Sequence, residues 1–115
     1  MTTALRPRVV TVFRSRLRAD AETNGYASVA EQVEARARAM PGFVDFKTFL
    51  APDGERVSII VFDGWDHHAA WRDDPGHRAA QRRGRESFYA EYSISVCEEH
   101  RARHFHRATG GPGGA

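Results

Sequence analysis

The stretch "AWRDDPGHRAAQRRGRESFY", residues 70 to 89, places a tryptophan, a histidine and several arginines within about five helical turns. Its histidine, His77, follows a helix break expected at Asp74 and Pro75, near the N-terminus of the resumed helix. The helix dipole disfavours a charged imidazole there, and a general base must be neutral. His77 is therefore the candidate catalytic base, although a surface histidine packed beside Pro75 would need no function.

Two tryptophans, Trp65 and Trp71, could form the walls of a substrate-binding cleft. Trp71 lies with Ala70 on the apolar side of its helix, and Trp65 lies where a strand ends. Rigid aromatic side chains line clefts because they bury a large area at a low entropic cost. They fill protein cores for the same reason, and packing alone is the simpler interpretation of Trp71.

Three further polar residues, Arg72, Arg85 and Tyr92, could also contact a substrate in such a cleft. Arg85 follows His77 by eight residues, so the two share roughly one face of an unbroken helix. A guanidinium there could stabilise a phenolate or enolate oxygen. Pairing of Arg85 with a neighbouring glutamate at the surface is the simpler interpretation.

The remaining histidines do not predict a metal site. His67 and His68 are adjacent, so on a helix they point about 100° apart and cannot easily hold one metal ion. A second group near the C-terminus consists of His100, His104 and His106, and its spacing suits metal binding better. No cysteine or carboxylate completes a closed set of ligands with these histidines. Dinucleotide-binding, CxxC and HExxH patterns are absent from the sequence, which predicts neither a metal nor a cofactor.

Composition limits the class of protein. The 115 residues suffice for one domain, and 41% hydrophobic with 28% charged residues is typical of soluble globular proteins. The net charge is only +2, and the arginines near His77 lack interleaved aromatics, so nucleic-acid binding is not expected. No apolar run approaches the roughly 20 residues that a membrane helix requires, so no membrane interaction is expected. The N-terminus has no apolar signal-peptide core, and the only cysteine, Cys97, has no partner for a disulfide within the chain. Both features favour a cytoplasmic protein. Cys97 alternates with Ser95 and is most simply a small buried apolar group.

Hydrophobic periodicity divides the chain into alternating strands and helices. Strands are predicted at residues 8 to 17, 43 to 51, 57 to 62 and 89 to 97, and helices at 24 to 39 and from about 66 to 86 with the break described above. A turn at residues 53 to 56 joins the second and third strands as an antiparallel hairpin. The domain is predicted to cover residues 1 to 107, followed by a flexible glycine-rich tail at 108 to 115.

This order, βαββαβ, predicts an α+β fold of the ferredoxin-like type, with a four-stranded antiparallel sheet and helices on one face. The other face of the sheet is then bare. It is expected to carry Phe46, Ile59, Val61 or their strand neighbours, which would form a large exposed apolar patch. Face-to-face pairing of two such sheets removes the patch, so a homodimer is expected.

Five segments follow one another at a definite spacing: "MPGF" (40 to 43), "DGERVSIIVF" (53 to 62), the tryptophan at 65, the stretch from 70 to 89 and "YSISVCE" (92 to 98). In this order they resemble the antibiotic biosynthesis monooxygenase family of dimeric α+β barrels. The resemblance covers about residues 8 to 105. It implies a cleft between the sheet and the helices of each subunit, which binds small aromatic or polyketide-like molecules.

The resemblance also implies an activity: oxidation of anthrone-type phenols to quinones by molecular oxygen, without a metal or flavin. Such chemistry needs a base, a polar group for the developing oxyanion and an apolar cage. Trp65 matches the tryptophan that ends the third strand in the anthrone oxygenases. Trp71 stands where they have a substrate-holding tyrosine, and Val61 stands where they have an asparagine.

Two related groups differ in their chemistry. Haem-degrading relatives use a first-strand asparagine and a helix histidine, and these positions are Phe13 and Gln81 here, so haem binding is not expected. Polyketide cyclases carry an aromatic residue followed, after three intervening residues, by a proline and, after one more, by a histidine base. The segment "WRDDPGH" has the same spacing, with Trp71 as the aromatic residue and His77 as the histidine. A cyclase-like proton-transfer enzyme and a non-catalytic dimer that binds small molecules are therefore the alternatives to an oxygenase.

Overall fold

The computed structural model describes residues 6 to 108, and its elements follow the predicted order. The strands are β1 (Val9–Leu17), β2 (Phe43–Leu50), β3 (Arg56–Phe62) and β4 (Tyr89–Glu98), and the helices are α1 (Tyr26–Arg38), α2 (Trp65–Asp73) and α3 (Pro75–Ser87). The break predicted at Asp74 and Pro75 separates α2 from α3. Most of the predicted glycine-rich tail lies outside the described residues, and no helix within residues 6 to 108 is long and apolar enough to cross a membrane.

The four strands form one antiparallel sheet in the order β2-β3-β1-β4. Strand β1 is central, and its first residue, Val9, lies between Phe62 of β3 and Glu98 of β4. The hairpin of β2 and β3 turns at Gly54, which has a positive φ of 93° that glycine adopts without strain. The structure confirms the predicted ferredoxin-like α+β fold and its sheet.

The hydrophobic core lies between the helices and one face of the sheet. Its central members are Ile60 and Phe62 of β3, Ala37 of α1 and Trp71 of α2, all less than a tenth exposed. Val33, one turn before Ala37 on the same helix, packs against this cluster. The core therefore joins both helical regions to the middle of the sheet.

Within residues 6 to 108, no helix covers the opposite face of the sheet. Because strand residues alternate between faces, Ile59 and Val61 lie on this bare face while Ile60 and Phe62 lie in the core. This agrees with the prediction for both residues. Val10 and Val12 of β1 pair with Val61 and Ile59, and they continue the apolar patch across the central strand.

The prediction that Phe46 lies on the bare face is wrong. Phe46 pairs with Ile60 and packs against the core. A register shift between Phe43 and Asp45 inserts one extra residue into β2, so Phe43 and Phe46 both lie on the helix side despite their odd separation.

The prediction that Cys97 is buried is also wrong. Cys97 pairs with Val10, which places it on the bare face, and it is exposed. The physical reason is its position in β4, an edge strand of the sheet. Because β4 has a neighbouring strand on one side only, packing within this chain covers it less than it covers β1.

Candidate active site

Helix α2 carries three ring side chains at intervals of three residues: Trp65, His68 and Trp71. Residues three or four positions apart lie on neighbouring parts of a helix surface. Exposure falls along this face, from 44% at Trp65 to 5% at His68 and 4% at Trp71. The face therefore runs from solvent into the core, where the Trp71 ring stacks on Phe62 with the ring centroids 6.2 Å apart.

His77 of α3 joins this row through Trp71. The two rings stack with their centroids 3.8 Å apart and an angle of 10° between their planes. Residues six positions apart would lie on different faces of an uninterrupted helix, so the break between α2 and α3 makes the contact possible. We call Trp65, His68, Trp71 and His77 the ring cluster.

Asp74 fixes the start of α3 and with it the position of His77. Its carboxylate accepts a hydrogen bond of 3.0 Å from the backbone N–H of His77, as an N-cap residue does, and Pro75 takes the first helical position. Arg36 of α1 donates two hydrogen bonds to the same carboxylate, one of them 3.1 Å long from Nη2 to Oδ1. The hydrogen bonds from Arg36 and then from His77 hold the pKa of the Asp74 carboxyl below its usual value.

The imidazole of His77 has a defined tautomer. Its Nδ1 lies 3.0 Å from the backbone carbonyl oxygen of Trp71. A carbonyl oxygen only accepts hydrogen bonds, so Nδ1 carries the proton and Nε2 carries the free lone pair. His77 thereby also satisfies a carbonyl in the last turn of α2, where helices leave such groups without internal partners.

The surroundings of His77 favour its neutral form. Burial lowers the pKa of His77 below its ordinary value of 6.5, although the hydrogen bond to Trp71 and the charge of Asp74 act in the opposite direction. An imidazole of lowered pKa is unprotonated at neutral pH. The geometry therefore provides a base at Nε2, with a carboxylate nearby that favours the imidazolium once a proton arrives.

His68 is a member of the cluster to which the sequence pattern assigned no role. Its ring meets the Trp65 ring edge-on, with the centroids 5.6 Å apart. Burial, and secondarily the charge of Arg72, lower its pKa. Its Nδ1 is buried and has no hydrogen-bond partner within residues 6 to 108. The spacing of three residues from Trp65 to His68 and on to Trp71 was the signal that could have identified it.

His67 lies apart from the ring cluster, as expected for two adjacent residues of a helix, whose side chains point in different directions. Its Nδ1 lies 2.6 Å from Oδ1 of Asp63. Its ring occupies the space beside Gly42, where a Cβ atom would not fit, and Gly42 has a positive φ of 79°. Within residues 6 to 108 no group of three or more histidine, cysteine or acidic side chains is placed to hold a metal ion.

Strand β4 provides an open apolar surface on the helix side of the sheet. Its residues there are each about two-fifths to one-half exposed; we call them the β4 shelf, consisting of Tyr92, Ile94 and Val96. They lie on the helix side because they pair directly with helix-facing residues of β1, as Ile94 does with Phe13. The Nε1–H of Trp65 donates a hydrogen bond of 2.6 Å to Glu98 at the end of β4. This bond links the ring cluster to the end of strand β4.

Tyr92 lies at the far end of the shelf from Glu98. Its ring packs against Phe13 and Tyr89, with centroids 5.6 and 5.7 Å away. Tyr92 also lines a groove of about 240 Å³ together with Arg14 and Glu55, and neither Trp71 nor His77 lines that groove. The structure thus places Tyr92 on the helix side of the sheet, at the opposite end of β4 from the contact between Trp65 and Glu98.

The two candidate arginines lie at the surface. Arg72 is exposed and pairs with Asp73, its neighbour in sequence, at 3.1 Å. Arg85 is also exposed, and no ion pair within residues 6 to 108 includes it. On α3 the buried position next to Arg85 is Gly84, where the lack of a side chain leaves room for the Tyr89 ring.

Comparison with known proteins identifies the fold. No protein-family model matches the chain. The crystal structure of SnoaB, a cofactor-independent oxygenase from Streptomyces nogalater, superposes with a TM-score of 0.68 at 21% identity, over 86% of this chain and 96% of that one. A proposed antibiotic biosynthesis monooxygenase from Nitrosomonas europaea gives a TM-score of 0.67 at 11% identity, over 87% and 96% of the two chains. The chain has the antibiotic biosynthesis monooxygenase fold.

This finding confirms the family resemblance at the level of the fold. One bacterial relative is similar along most of its sequence: the uncharacterized protein YqjZ of Bacillus subtilis is 29% identical over 103 residues, which are 90% of each chain. Solved structures with this fold include oxygenases, but identities of 21% and below show a shared architecture and not a shared reaction. The reaction has to be argued from the ring cluster and the β4 shelf.

Proposed function

We propose that this protein is a cofactor-independent oxygenase that converts a flat, electron-rich phenol of the anthrone type into a quinone with molecular oxygen. The observation that carries the proposal is the state of His77. Its ring is stacked on Trp71, its Nδ1 proton is engaged by a carbonyl, and burial keeps it neutral. These features describe a base whose Nε2 is ready to accept a proton.

The proposed reaction needs only the substrate and oxygen. His77 removes a proton, the resulting anion transfers one electron to O2, and the substrate radical and superoxide combine to a peroxide at the ring carbon. The protonated peroxide then loses water as the remaining C–H proton leaves, which creates the carbonyl. One CH2 group and one O2 become one C=O group and one H2O. The substrate supplies all the electrons, so this chemistry requires no metal or flavin.

The other residues of the site have binding roles in this proposal. The exposed part of Trp65 and the apolar side chains of the β4 shelf would hold the flat ring, while the buried Trp71 would orient His77. Asp74 would stabilise the imidazolium that forms when His77 accepts the proton. Arg72 and Arg85 are outside the proposed site because both side chains are exposed and Arg72 is paired with Asp73.

The proposed biological unit is a homodimer. The bare face of the sheet carries Val10, Val12, Ile59 and Val61, and a second copy of the chain would cover this apolar surface. The ring cluster lies on the other side of the sheet, so this arrangement would leave one site in each subunit.

The test is oxidation of anthrone in air and under nitrogen, followed by quinone absorbance and oxygen uptake. We expect one O2 consumed per quinone formed and no conversion without oxygen. His77→Asn is the informative variant, because an asparagine amide nitrogen reaches about as far as Nδ1 and keeps the hydrogen bond to Trp71 while removing Nε2. The rate should fall roughly 10²- to 10⁴-fold, the usual contribution of a general base. His100→Asn, at an exposed histidine, is the matched control and should be unchanged.

The alternatives give different results in the same assays. Ring closure of a linear polyketide mimic under nitrogen, lost in His77→Asn, would replace the oxygenase with a cyclase-like enzyme, since the spacing of Trp71 and His77 matches that chemistry. Binding of both ligands without turnover would identify a binding protein. Full anthrone oxidation by His77→Asn would exclude His77 as the base.

A further inference from the structure

The ring cluster contains a second imidazole whose chemistry the proposed base does not explain. His68 is only 5% exposed, and its Nδ1 is the one buried side-chain nitrogen or oxygen without a hydrogen-bond partner within residues 6 to 108. Buried polar atoms are almost always paired, because an unpaired one loses its hydrogen bonds to water. An exception beside a candidate base therefore requires a physical explanation.

The unpaired atom decides which tautomer His68 adopts. A neutral imidazole has one N–H donor and one bare nitrogen acceptor. Among backbone groups, orphaned buried N–H donors are rarer than under-satisfied acceptors, and we apply the same preference to the imidazole. The proton therefore belongs on Nε2, and the buried Nδ1 is the bare acceptor. Burial also lowers the pKa of His68, so the ring stays neutral at ordinary pH.

The two imidazoles of the cluster then have opposite chemistry. His77 donates from Nδ1 to the Trp71 carbonyl, which leaves its lone pair on Nε2. In the inferred tautomer, His68 keeps its lone pair at Nδ1, the buried atom without a partner, and carries a proton at Nε2. The two rings lie close enough for the charge of one to affect the pKa of the other. One therefore accepts protons and the other donates hydrogen bonds.

From this arrangement we propose that His68 is a catalytic residue that donates a hydrogen bond from Nε2–H to the oxygen of the bound phenol as that oxygen becomes negative. The inference rests on the proposed function, which requires a polar group for the oxyanion. A neutral donor suits this task because it stabilises the anion without surrendering its proton. The proposed ligand is a flat aromatic phenol on the β4 shelf, with its oxygen toward His68 and its acidic proton toward His77.

Binding of a stable phenolate tests this role without turnover. The probe is 4-nitro-1-naphthol, an electron-poor naphthol that is readily ionised and resists oxidation. His68→Gln and His68→Asn are a matched pair, because a glutamine amide nitrogen reaches the position of Nε2 and an asparagine amide nitrogen that of Nδ1. We expect the dissociation constant to rise roughly 10- to 100-fold in His68→Asn, the usual effect of losing a hydrogen bond to a charged group. In His68→Gln it should rise only a few fold.

Nuclear magnetic resonance of the imidazole nitrogens gives an independent readout in the wild-type protein. At pH 7.5 we expect His68 to be neutral with its proton on Nε2, and His77 to be neutral with its proton on Nδ1. Saturation with the probe should shift the Nε2–H signal of His68 downfield and leave His67 unchanged, because His67 is engaged by Asp63. A His68 proton on Nδ1, a charged His68 ring, or no shift with saturating probe would overturn the proposal.

The outcomes separate this role from the oxygenase itself. If the probe binds with the expected difference between the two variants but anthrone is not oxidised, His68 is an oxyanion donor in a protein with another reaction. If anthrone is oxidised and His68→Asn is as active as the wild type, the oxygenase stands and the donor role is overturned. Equal loss of probe affinity in His68→Gln and His68→Asn would show that the ring serves packing, which also overturns the role.

Discussion

The imidazole of His77 stacks on the indole of Trp71 at 3.8 Å and donates from Nδ1 to the carbonyl oxygen of the same residue at 3.0 Å. One residue thus controls both the position and the tautomer of the imidazole. The contact has a local cause in the segment "WRDDPGH", where Pro75 lies between the tryptophan and the histidine. This segment places the two rings on either side of a helix break, so the histidine folds back onto the last turn of α2.

The stack predicts a stability difference between the two tryptophans. Trp71 is 4% exposed and packs on Phe62 as well as on His77, whereas Trp65 is 44% exposed. Trp71→Ala should lower the free energy of unfolding by about 3 to 5 kcal/mol, the usual effect of removing a large buried aromatic side chain. Trp65→Ala should lower it much less. Urea unfolding at a fixed protein concentration measures both, and equal losses would contradict the packing described.

The cap of α3 predicts a second matched pair. Asp74→Asn keeps an oxygen that accepts from the His77 backbone N–H but removes the charge that Arg36 binds, while Asp74→Ala removes both. We expect Asp74→Ala to be less stable than Asp74→Asn by about 1 kcal/mol, the usual contribution of an N-cap. Thermal and urea unfolding of the two variants provide the measurement. Indistinguishable variants would mean that the cap does not stabilise α3.

The elements of this fold could be predicted from the sequence because their signals are local. Strand alternation, the apolar row of α1 and the break at Asp74 and Pro75 each depend on residues a few positions apart. The side of the sheet on which Phe46 lies could not be predicted in this way. A single extra residue in β2 reverses the alternation, and this bulge is defined only by pairing with β3.

For the candidate site, the sequence likewise predicts the local features but not the contacts that form on folding. His77 and Trp71 are identified by their spacing, but the tautomer of His77 depends on a backbone carbonyl that only the folded chain brings to it. His68 was set aside because its neighbour His67 points elsewhere. The spacing of Trp65, His68 and Trp71 marks one face of α2, but the burial of His68 becomes visible only in the folded chain. Arg85 lies on the same helix as His77, and its side chain is exposed, as the surface interpretation of this residue expects.

The lowered pKa values of His68 and His77 predict that the protein becomes less stable as the pH falls. In the unfolded chain His68 titrates near 6.5, and in the folded protein burial lowers its pKa. Between these two values the unfolded state binds more protons, so the free energy of unfolding falls as the pH falls below about 6.5. At higher pH His68 makes no contribution to the slope. His77 acts in the same direction.

A set of urea titrations between pH 5 and 8 tests this dependence. His68→Gln removes one of the two groups, so its stability should decline less steeply with acidification than that of the wild type. Exposed His100 is the matched control, and His100→Gln should retain the full slope. The pKa of Asp74 is lowered from its ordinary value of 3.8, so this carboxyl stays ionised between pH 5 and 8 and does not affect the comparison. Parallel curves for wild type and His68→Gln would contradict the neutral state assigned to His68.

The bare sheet face predicts the oligomeric state. We expect sedimentation at micromolar concentration to show a species of twice the 12.9 kDa chain mass. Val12→Arg places a charge in the middle of the apolar patch and should produce monomers or unfolded chains. Glu31→Arg, on the exposed surface of α1, should leave the dimer intact. A folded wild-type monomer would contradict the prediction.

The pH dependence of anthrone oxidation follows from the state of His77. The base must be unprotonated, so kcat/KM should rise with pH as His77 loses its proton and then reach a plateau. Because burial lowers the pKa of His77, the midpoint of the rise should lie below 6.5, the ordinary value for histidine. Asp74→Asn removes a negative charge that favours the imidazolium, so it should move the midpoint lower still. The measurement is the initial rate at low substrate concentration between pH 4.5 and 8.5. A midpoint above 6.5, or a midpoint that rises in Asp74→Asn, would contradict the assignment of the partly buried His77 as the base.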